Sequence, residues 1–331
     1  MKLFTTLAVT GVALAAMMSA GSAFAQTRIA FVAKDIGNGF FVAAYKGAQE
    51  AAAEAGGVEV TFTGPSEPTA EGQIEVINSL VAQQVNAIVI SANDPDALVP
   101  ALQKAMQRGI TVVSFDSGVA AEGRMVQLDP SSVDLIGNTI VKLAADNLPE
   151  SKGQIAFLSG TATATNQNAW LAAAKEHYGE YPGVEVVATV YGDDLFDKSY
   201  REAQGLLSTH PDLKAISAPT SVGIVAAAQA VTDAGKIGQI NVTGLGLPSE
   251  MAAHVKSGAS KSFAIWNPID LGYSATTIAI HLVKGEAKAE PGSKIAIGRV
   301  GEVTLGEDNS AAMAEPFTYD ASNIDQYSSI F

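Results

Sequence analysis

AIVISANDP (Ala87–Pro95) carries the clearest signal of the fold of this chain. Ala87 to Ser91 forms a continuous apolar run, which is typical of a parallel strand buried on both faces. Asp94 and Pro95 then predict the start of a helix, because Asp caps free N–H groups and Pro fits the first turn. A buried strand that leads directly into a helix predicts an open parallel α/β sheet.

The same alternation extends along the chain in both directions. Strands are predicted at 28–33, 58–63, 111–115, 154–158, 184–191, 215–218, 241–245 and 262–266. Helices are predicted at 39–55, around 74–81, and at 131–147, 167–178, 198–209, 222–234, 249–256 and 270–284, before a Gly-rich extended tail. The two α/β sets are of similar size and no long linker separates them, so we expect two lobes joined by short strand-like crossings.

The first 25 residues have the pattern of a secretory signal peptide. Lys2 gives a basic start, an apolar run follows from Leu3 to Met18, and Ala23-Phe24-Ala25 forms a cleavage site before Gln26. The apolar core is shorter than the ~20 residues of a bilayer span. The sequence therefore predicts cleavage after Ala25 and a periplasmic protein that is not inserted in the membrane.

Composition excludes several classes of function. The chain of 331 residues has no cysteine and only four scattered histidines, which argues against thiolate or histidine metal sites and against cysteine nucleophiles. Its formal net charge is −14, and removal of residues 1–25, with one lysine and no acid, makes it −15. Such a surface repels phosphate backbones, so nucleic acid is not an expected partner. No metal or cofactor is predicted.

Ligands of open α/β sheets bind outside the carboxyl ends of the strands. The residues that follow the predicted strands there combine carboxylates, amides, hydroxyls, a lysine and aromatic rings. The candidates for ligand binding are Lys34, Phe40, Phe41, Asp116, Asn166, Gln167, Pro219, Ser221, Trp266 and Asn267. Polar groups of this kind pair with hydroxyls and aromatic faces cover C–H surfaces, so the set indicates a site for a sugar or polyol.

Some candidates have a simpler structural explanation. Asn166 and Gln167 lie where an amide also caps a helix, and Trp266 precedes Pro268 and could belong to the core. Phe40 and Phe41 are adjacent on a helix and cannot share a face, so at least one is expected to line the cleft. Asp94 is predicted to act as a helix cap rather than as a ligand contact.

Catalytic motifs are missing from the sequence. There is no Gly-x-Ser-x-Gly elbow, no phosphate-binding Walker loop and no Gly-x-Gly-x-x-Gly after the first strand. Carboxylates near the cleft could imitate a glycosidase pair, but no spacing marks two of them as partners. We therefore predict a binding protein rather than an enzyme, with a secreted glycoside hydrolase as the alternative from another class.

Several runs carry a resemblance to a known family. KDIGNGFF (34–41), TGPSEPTAEGQ (63–73), SANDPDALVPAL (91–102), SFDSG (114–118), TNQNAW (165–170) and IWNPIDLGYSA (265–275) resemble periplasmic sugar-binding proteins of ABC importers. Within that superfamily the chain is similar to the branch of rhamnose-binding proteins and autoinducer-2 receptors. The resemblance covers essentially the whole chain after residue 25.

The resemblance implies two lobes that close over one ligand about a hinge of three strands. Residues 26–128 with 262–302 would form the N-terminal lobe, and 129–261 with 303–331 the C-terminal lobe. It further implies a monomer that delivers its sugar to a membrane permease.

The resemblance also bears on the ligand. Lys34, Asp116, Asn166, Gln167, Pro219 and Ser221 match contact positions of the autoinducer-2 receptors, which however have Asp at position 166 and Ala at 221. VYGDDL (190–195), GLGLPSEM (244–251) and ASNIDQ (321–326) instead look like rhamnose-binding members. L-Rhamnose is therefore the expected ligand, and its methyl group suits an aromatic wall. Autoinducer-2, a pentose or another polyol are the alternatives.

Overall fold

The fold consists of two parallel α/β sheets, each flanked by helices. The computed structural model describes residues 26–331, so the predicted signal peptide lies outside the described residues. Within 26–331, no helix is long and apolar enough to cross a membrane.

The elements follow the predicted alternation. The strands are β1 (Thr27–Val32), β2 (Val58–Thr63), β3 (Ala87–Ile90), β4 (Thr111–Phe115), β5 (Val126–Asp129), β6 (Gly153–Ser159), β7 (Val184–Tyr191), β8 (Leu213–Ala218), β9 (Asn241–Gly244), β10 (Ser262–Ile265), β11 (Lys294–Ala296), β12 (Glu302–Thr304), β13 (Ser310–Ala312) and β14 (Phe317–Asp320). The helices are α1 (Gly39–Ala55), α2 (Ala70–Gln83), α3 (Val99–Gln107), α4 (Val133–Asn147), α5 (Thr165–Glu176), α6 (Phe196–Thr209), α7 (Ser221–Asp233), α8 (Pro248–Ser257), α9 (Pro268–Lys284) and α10 (Ile324–Tyr327).

The first lobe is built on a six-stranded sheet in the order β2-β1-β3-β4-β5-β13, with every pair parallel. Alternate side chains of β1 enter opposite layers: Phe31 packs with the α1 layer and Val32 with the α2 and α3 layer. Helices α1 and α9 approach closely at glycines. A Cβ atom on Gly272 would lie 1.8 Å from the carbonyl oxygen of Ala44, so only glycine fits there.

The second lobe is built on the parallel sheet β7-β6-β8-β9. A bridge between Leu245 and Ala264 adds β10 in parallel, and β14 pairs antiparallel with β10. Helix α4 packs on α5 and on β8 and β9, while α6 packs on α7 and on β6 and β7. The carboxyl ends of both sheets face the cleft between the lobes, which fixes the place where a ligand can bind.

The chain crosses between the lobes in three short segments, after β5, between β10 and α9, and between β13 and β14. The first and third crossings lie side by side: Met313 N donates to Asp129 O at 2.9 Å, and Ala314 N donates to Pro130 O at 3.0 Å. Short paired segments of this kind can bend while each lobe stays rigid. The predicted two-lobed fold with a three-strand hinge is therefore confirmed.

Strand pairing divides the lobes differently from the expected boundaries at 262 and 303. Strand β10 neighbours β9 in the second lobe, so the second crossing follows Ile265. Strand β13 pairs with β5 in the first lobe, so the third crossing follows Ala312. Strand β13 pairs with a strand that is remote in sequence, which local patterns do not indicate, whereas β10 is the next strand after β9 in the chain.

Two helix starts also differ from the prediction. Asp94 caps a turn, since its Oδ1 accepts from the N–H groups of Asp96 and Ala97, and α3 begins later, at Val99. Helix α4 begins at Val133 rather than at the predicted residue 131, and it is capped by Ser132, whose Oγ accepts from Leu135 N at 3.2 Å. Both differences arise where several capping residues follow one another.

Candidate functional site

A cavity of about 390 Å³ lies between the lobes at the carboxyl ends of both sheets. The residues that line it are Lys34, Asn38, Phe40, Phe41, Asp116, Asn166, Gln167, Trp170, Asp194, Pro219, Thr220, Ser221, Leu245, Ile265 and Trp266. The first lobe, the second lobe and a crossing segment all contribute side chains.

Asp116 is the centre of the polar wall on the first lobe. It follows β4 in the left-handed backbone region, with φ +56°, which Asp tolerates better than most residues. Its Oδ2 accepts from Ser91 Oγ at 2.9 Å, and its Oδ1 accepts from Asn166 Nδ2 at 2.9 Å. Lys34 Nζ donates to Asn166 Oδ1 at 3.4 Å. Asn166, from the second lobe, thus contacts both charged groups of the first.

Burial dominates the electrostatics of Asp116. The loss of hydration raises the pKa of this carboxyl group, and the positive charge of Lys34 and the hydrogen bonds from Ser91 and Asn166 oppose the rise. The charge of Asp194 adds to the rise. A buried carboxylate near another carboxylate is a strong acceptor that gains from a donor such as a ligand hydroxyl.

A second polar group lies on the other lobe, around Asp194. Its Oδ1 accepts from Thr220 Oγ1 at 2.5 Å and from Gln167 Nε2 at 3.5 Å. Gln167 Oε1 in turn accepts from Gly160 N at 3.0 Å. These bonds hold Asp194 against the cavity, with its backbone at φ +54°.

Direct hydrogen bonds join the rims of the two lobes. Thr163 Oγ1 donates to Asn93 O at 3.0 Å, and Thr165 Oγ1 donates to Gly118 O at 2.8 Å. The structure therefore shows the lobes closed over the cavity.

Aromatic rings form the apolar wall. The Trp266 ring contacts Trp170 at a centroid distance of 5.6 Å and Phe40 at 6.2 Å, both in T-shaped geometry. Phe40 in turn meets Phe41 edge-on at 5.3 Å. Trp266 lies in the crossing between β10 and α9, so it touches rings from both lobes. Its Nε1 is buried and has no hydrogen-bond partner within residues 26–331.

All predicted site residues except Asn267 line this cavity. The Asn267 side chain caps α9 instead, because its Oδ1 accepts from Ile269 N at 2.9 Å and from Asp270 N at 3.4 Å. Both Phe40 and Phe41 reach the lining, although adjacent helical positions were expected to separate them.

Sequence reasoning missed several lining residues: Asn38, Trp170, Asp194, Thr220, Leu245 and Ile265. Trp170 lies one helical turn after Asn166, and this i, i+4 spacing could have identified it. Asp194 follows β7 by three residues in a Gly-Asp-Asp turn, so it lies beyond the positions directly after the strand. Leu245 and Ile265 look like ordinary strand residues, so no local signal distinguishes them.

The charges of the cavity limit its chemistry. Asp116 and Asp194 carry two carboxylates against the one ammonium of Lys34. This surplus of negative charge disfavours sugar acids and sugar phosphates and favours neutral polyols. Within 26–331, no cluster of three or more His, Cys, Asp or Glu side chains could hold a metal ion.

Comparison with known proteins places this geometry in context. The model of the "periplasmic binding protein domain" family matches residues 29–287. The chain is 29% identical to the D-ribose/D-allose-binding protein of Pseudomonas aeruginosa over 66% of this chain and 70% of that protein.

Solved structures are similar over nearly the whole length. An ABC transporter solute-binding protein from Clostridium phytofermentas with bound L-rhamnose matches with a TM-score of 0.88 and 33% identity, covering 92% of this chain and 99% of that one. LsrB from Clostridium saccharobutylicum in complex with AI-2 matches with a TM-score of 0.86 and 26% identity, covering 91% and 99%.

Proposed function

This chain belongs to the periplasmic binding protein family, and we propose that it captures L-rhamnose for import. It is a sugar-binding solute-binding protein of an ABC transporter. The family consists of transport binding proteins and not of enzymes, so the alternative of a secreted glycoside hydrolase is set aside.

The rhamnose assignment is supported chiefly by an aromatic wall and a carboxylate wall that line the same closed cavity. Such a pair of walls suits a neutral sugar with both hydroxyls and an apolar edge. The similarity to a protein with bound L-rhamnose points in the same direction. The ligand contacts we propose are Lys34, Phe40, Phe41, Asp116, Asn166, Gln167, Pro219, Ser221 and Trp266, together with Trp170 and Asp194.

In the proposed mechanism the ligand stabilises the closed form because only there does it touch both lobes. Asp116 on the first lobe and Asp194 on the second lobe would each accept hydrogen bonds from hydroxyl groups of the ligand. The three crossings would bend as the lobes open. Micromolar affinity corresponds to about −8 kcal/mol, which a handful of hydrogen bonds at ~1 kcal/mol each and the aromatic contacts can supply.

We further propose that the mature protein, cleaved after Ala25, acts as a monomer in the periplasm. There it would present its closed, sugar-loaded form to a membrane permease. The strong negative charge of the chain keeps such a carrier soluble and separate from other copies.

AI-2 is the main competing ligand, because a similar structure is in complex with it. The side chain at Asn166 argues against it. The autoinducer-2 receptors have a carboxylate at this position, whereas here an amide bridges Lys34 and Asp116. An amide offers a donor as well as an acceptor and carries no charge, so the hydroxyl pattern that it selects is different.

Thermal unfolding against a sugar panel tests the assignment. The mature protein is first unfolded and refolded to remove carried-over ligand. A ligand at 100 times its dissociation constant adds about 2.7 kcal/mol to the free energy of unfolding, which raises Tm by several degrees. The chain has two tryptophans, and both line the cavity, so their fluorescence gives an independent signal.

A shift with L-rhamnose is the expected result. A shift with AI-2, ribose, allose or a polyol, and none with L-rhamnose, would refute the rhamnose assignment but keep the transport function. No shift with any sugar would contradict both.

A further inference from the structure

A buried amide joins two strand ends of the first lobe behind the cavity. Gln73, on α2, is fully buried and does not line the cavity. Its Nε2 donates to Ala33 O at 2.9 Å and to Ser91 O at 2.7 Å, and its Oε1 accepts from Asn93 N at 2.8 Å. Ala33 directly follows β1 and Ser91 directly follows β3, so one side chain ties together the ends of both strands.

Asn93 continues this group to the edge of the second lobe. It is 2% exposed, and its Nδ2 donates to Lys34 O at 2.9 Å and to Thr69 O at 3.2 Å. We call Gln73 and Asn93 the amide pair. The carbonyl oxygen of Asn93 accepts from Thr163 Oγ1 of the second lobe at 3.0 Å. The amide pair therefore holds the backbone that Thr163 meets when the lobes are closed.

The amide pair can affect closure without touching a ligand. A buried and connected group of hydrogen bonds is rigid, because any movement would leave polar groups unpaired away from water. An acceptor that is already fixed in place loses less freedom when a bond forms, so the bond from Thr163 favours the closed form more strongly. Neither Asn93 nor Thr163 lines the cavity. The bond between them should therefore favour closure over any sugar, and the apparent affinity rises with the fraction of closed protein.

We propose that Gln73 is a positioning residue for lobe closure, and that it acts through Asn93 by holding the carbonyl group that Thr163 contacts. This inference rests on the proposed function, since it takes closure over a sugar as the binding event. All hydrogen bonds of the Gln73 side chain lie within the first lobe, so its effect on closure passes through Asn93.

Thr165 provides a matched comparison on the same rim. It lies two residues after Thr163, at the start of α5, and its Oγ1 donates across the cleft to Gly118 O at 2.8 Å. Gly118 lies after β4, and the side chains of the amide pair donate elsewhere. The two threonines make the same kind of bond, but only Thr163 meets a carbonyl group that the amide pair holds.

Single variants test each contact by calorimetry with L-rhamnose on the refolded mature protein. Thr163→Val and Thr165→Val keep the shape of the side chain and remove its hydroxyl. Each should raise Kd about two- to fivefold, as for the loss of one neutral hydrogen bond. Gln73→Met keeps the length of the side chain and removes its three hydrogen bonds, and it should raise Kd about as much as Thr163→Val does. An unchanged Kd for either Thr163→Val or Gln73→Met would overturn the proposal.

Double variants test the route from Gln73 to the second lobe. Gln73→Met should cause no further loss of affinity in a Thr163→Val background, because the bond through which it acts is already absent. Its factor should instead multiply with that of Thr165→Val, which gives a Kd about 4- to 25-fold above that of the unaltered protein. Multiplication by the same factor in both backgrounds would overturn the proposal, since Gln73 would then act by another route.

Ile77→Ala separates positioning from a general loss of stability. Ile77 lies one turn after Gln73 on α2 and is fully buried, so its truncation removes apolar contacts and none of these hydrogen bonds. Both variants should lower Tm without sugar, but only Gln73→Met should raise Kd. The same rise in Kd for Ile77→Ala would overturn the proposal. If Gln73→Met does not fold, Gln73→Glu takes its place, because a carboxyl group has the same shape and at most one donor.

The unaltered protein keeps this test separate from the proposed function. If another sugar of the panel raises Tm and L-rhamnose does not, that sugar becomes the probe for all variants, and only the rhamnose assignment is refuted. Failure of the unaltered protein to bind any sugar would refute sugar binding itself, and the positioning role with it.

Discussion

Replacing Asp116 by Asn should weaken sugar binding and at the same time stabilise the ligand-free protein. The substitution preserves shape, and Asn tolerates the left-handed backbone of this position (φ +56°). Its Oδ1 can still accept from Asn166, and its amide group can donate to Ser91 Oγ, because the hydroxyl rotates to accept. The lobes should therefore still close in the same way.

The two expected effects have different physical origins. A hydrogen bond to a charged acceptor contributes about 1.5–3 kcal/mol and a neutral one about 1 kcal/mol, so the loss of charge costs about 0.5–2 kcal/mol for each ligand hydroxyl on Asp116. The dissociation constant should rise about 2- to 30-fold. Burial raises the pKa of Asp116 even though the positive charge of Lys34 opposes the rise. The ionised carboxylate therefore destabilises the native state at neutral pH. Asn removes that cost, and Tm without sugar should rise.

Calorimetry with L-rhamnose and thermal unfolding at pH 7 measure the two effects. Asp212→Asn is the control, since it makes the same charge change at an exposed residue and should alter neither quantity. An unchanged dissociation constant for Asp116→Asn would show that Asp116 does not contact the sugar. A lower Tm without sugar would refute the argument from burial.

Two further predictions concern stability. Gly272→Ala should lower the free energy of unfolding by about 3 kcal/mol, because the new Cβ atom would lie 1.8 Å from Ala44 O. Gly205→Ala is the control: this glycine of α6 has open space around it, so the free energy of unfolding should rise by about 0.5–1 kcal/mol. Urea unfolding followed by circular dichroism measures both changes, and the same change in both variants would contradict the prediction. Burial also raises the pKa of Asp129 to about 6, so the native state binds its proton more tightly than the unfolded state, and stability falls as pH rises from about 4 to 6. Asp129→Asn should be more stable than the unaltered protein at pH 7 and lose that advantage at pH 4, and an advantage that is the same at both pH values would exclude this explanation.

Much of the fold could be predicted because parallel strands buried on both faces carry their own signal. Ala87–Ile90 and Thr111–Phe115 are apolar without interruption, and both are strands in the structure. Strand β5 (Val126–Asp129) escaped prediction, since it is short, and Gln127 interrupts its apolar residues. The Gln127 side chain can be buried because it forms hydrogen bonds with Ser114 and Asp129. The sequence around Gln127 does not show that these partners offset the cost of burying a polar group.

The site was partly predictable for a similar reason. A rule about the carboxyl ends of strands locates Lys34 and Asp116 without knowledge of their neighbours. It cannot locate Asp194, whose place in the cavity depends on a left-handed turn and on bonds from Thr220 and Gln167. It also could not separate Trp266, which lines the cavity, from Asn267, which caps the next helix. Adjacent residues there have opposite roles because the chain turns between them.

The pairing of β13 with β5 affects how the protein can form. Ser310 aligns with Gln127, so the sheet of the first lobe is completed by a segment close to the end of the chain. Until that segment arrives, β5 is an edge strand with unpaired backbone groups, which is a template for association with other chains. Contacts so distant in sequence also slow folding, because a long loop must close before they form. A truncated chain that ends before Ser310 should therefore aggregate rather than yield an isolated first lobe. Strand β13, which is synthesised near the end of translation, completes the sheet of the lobe that was synthesised first.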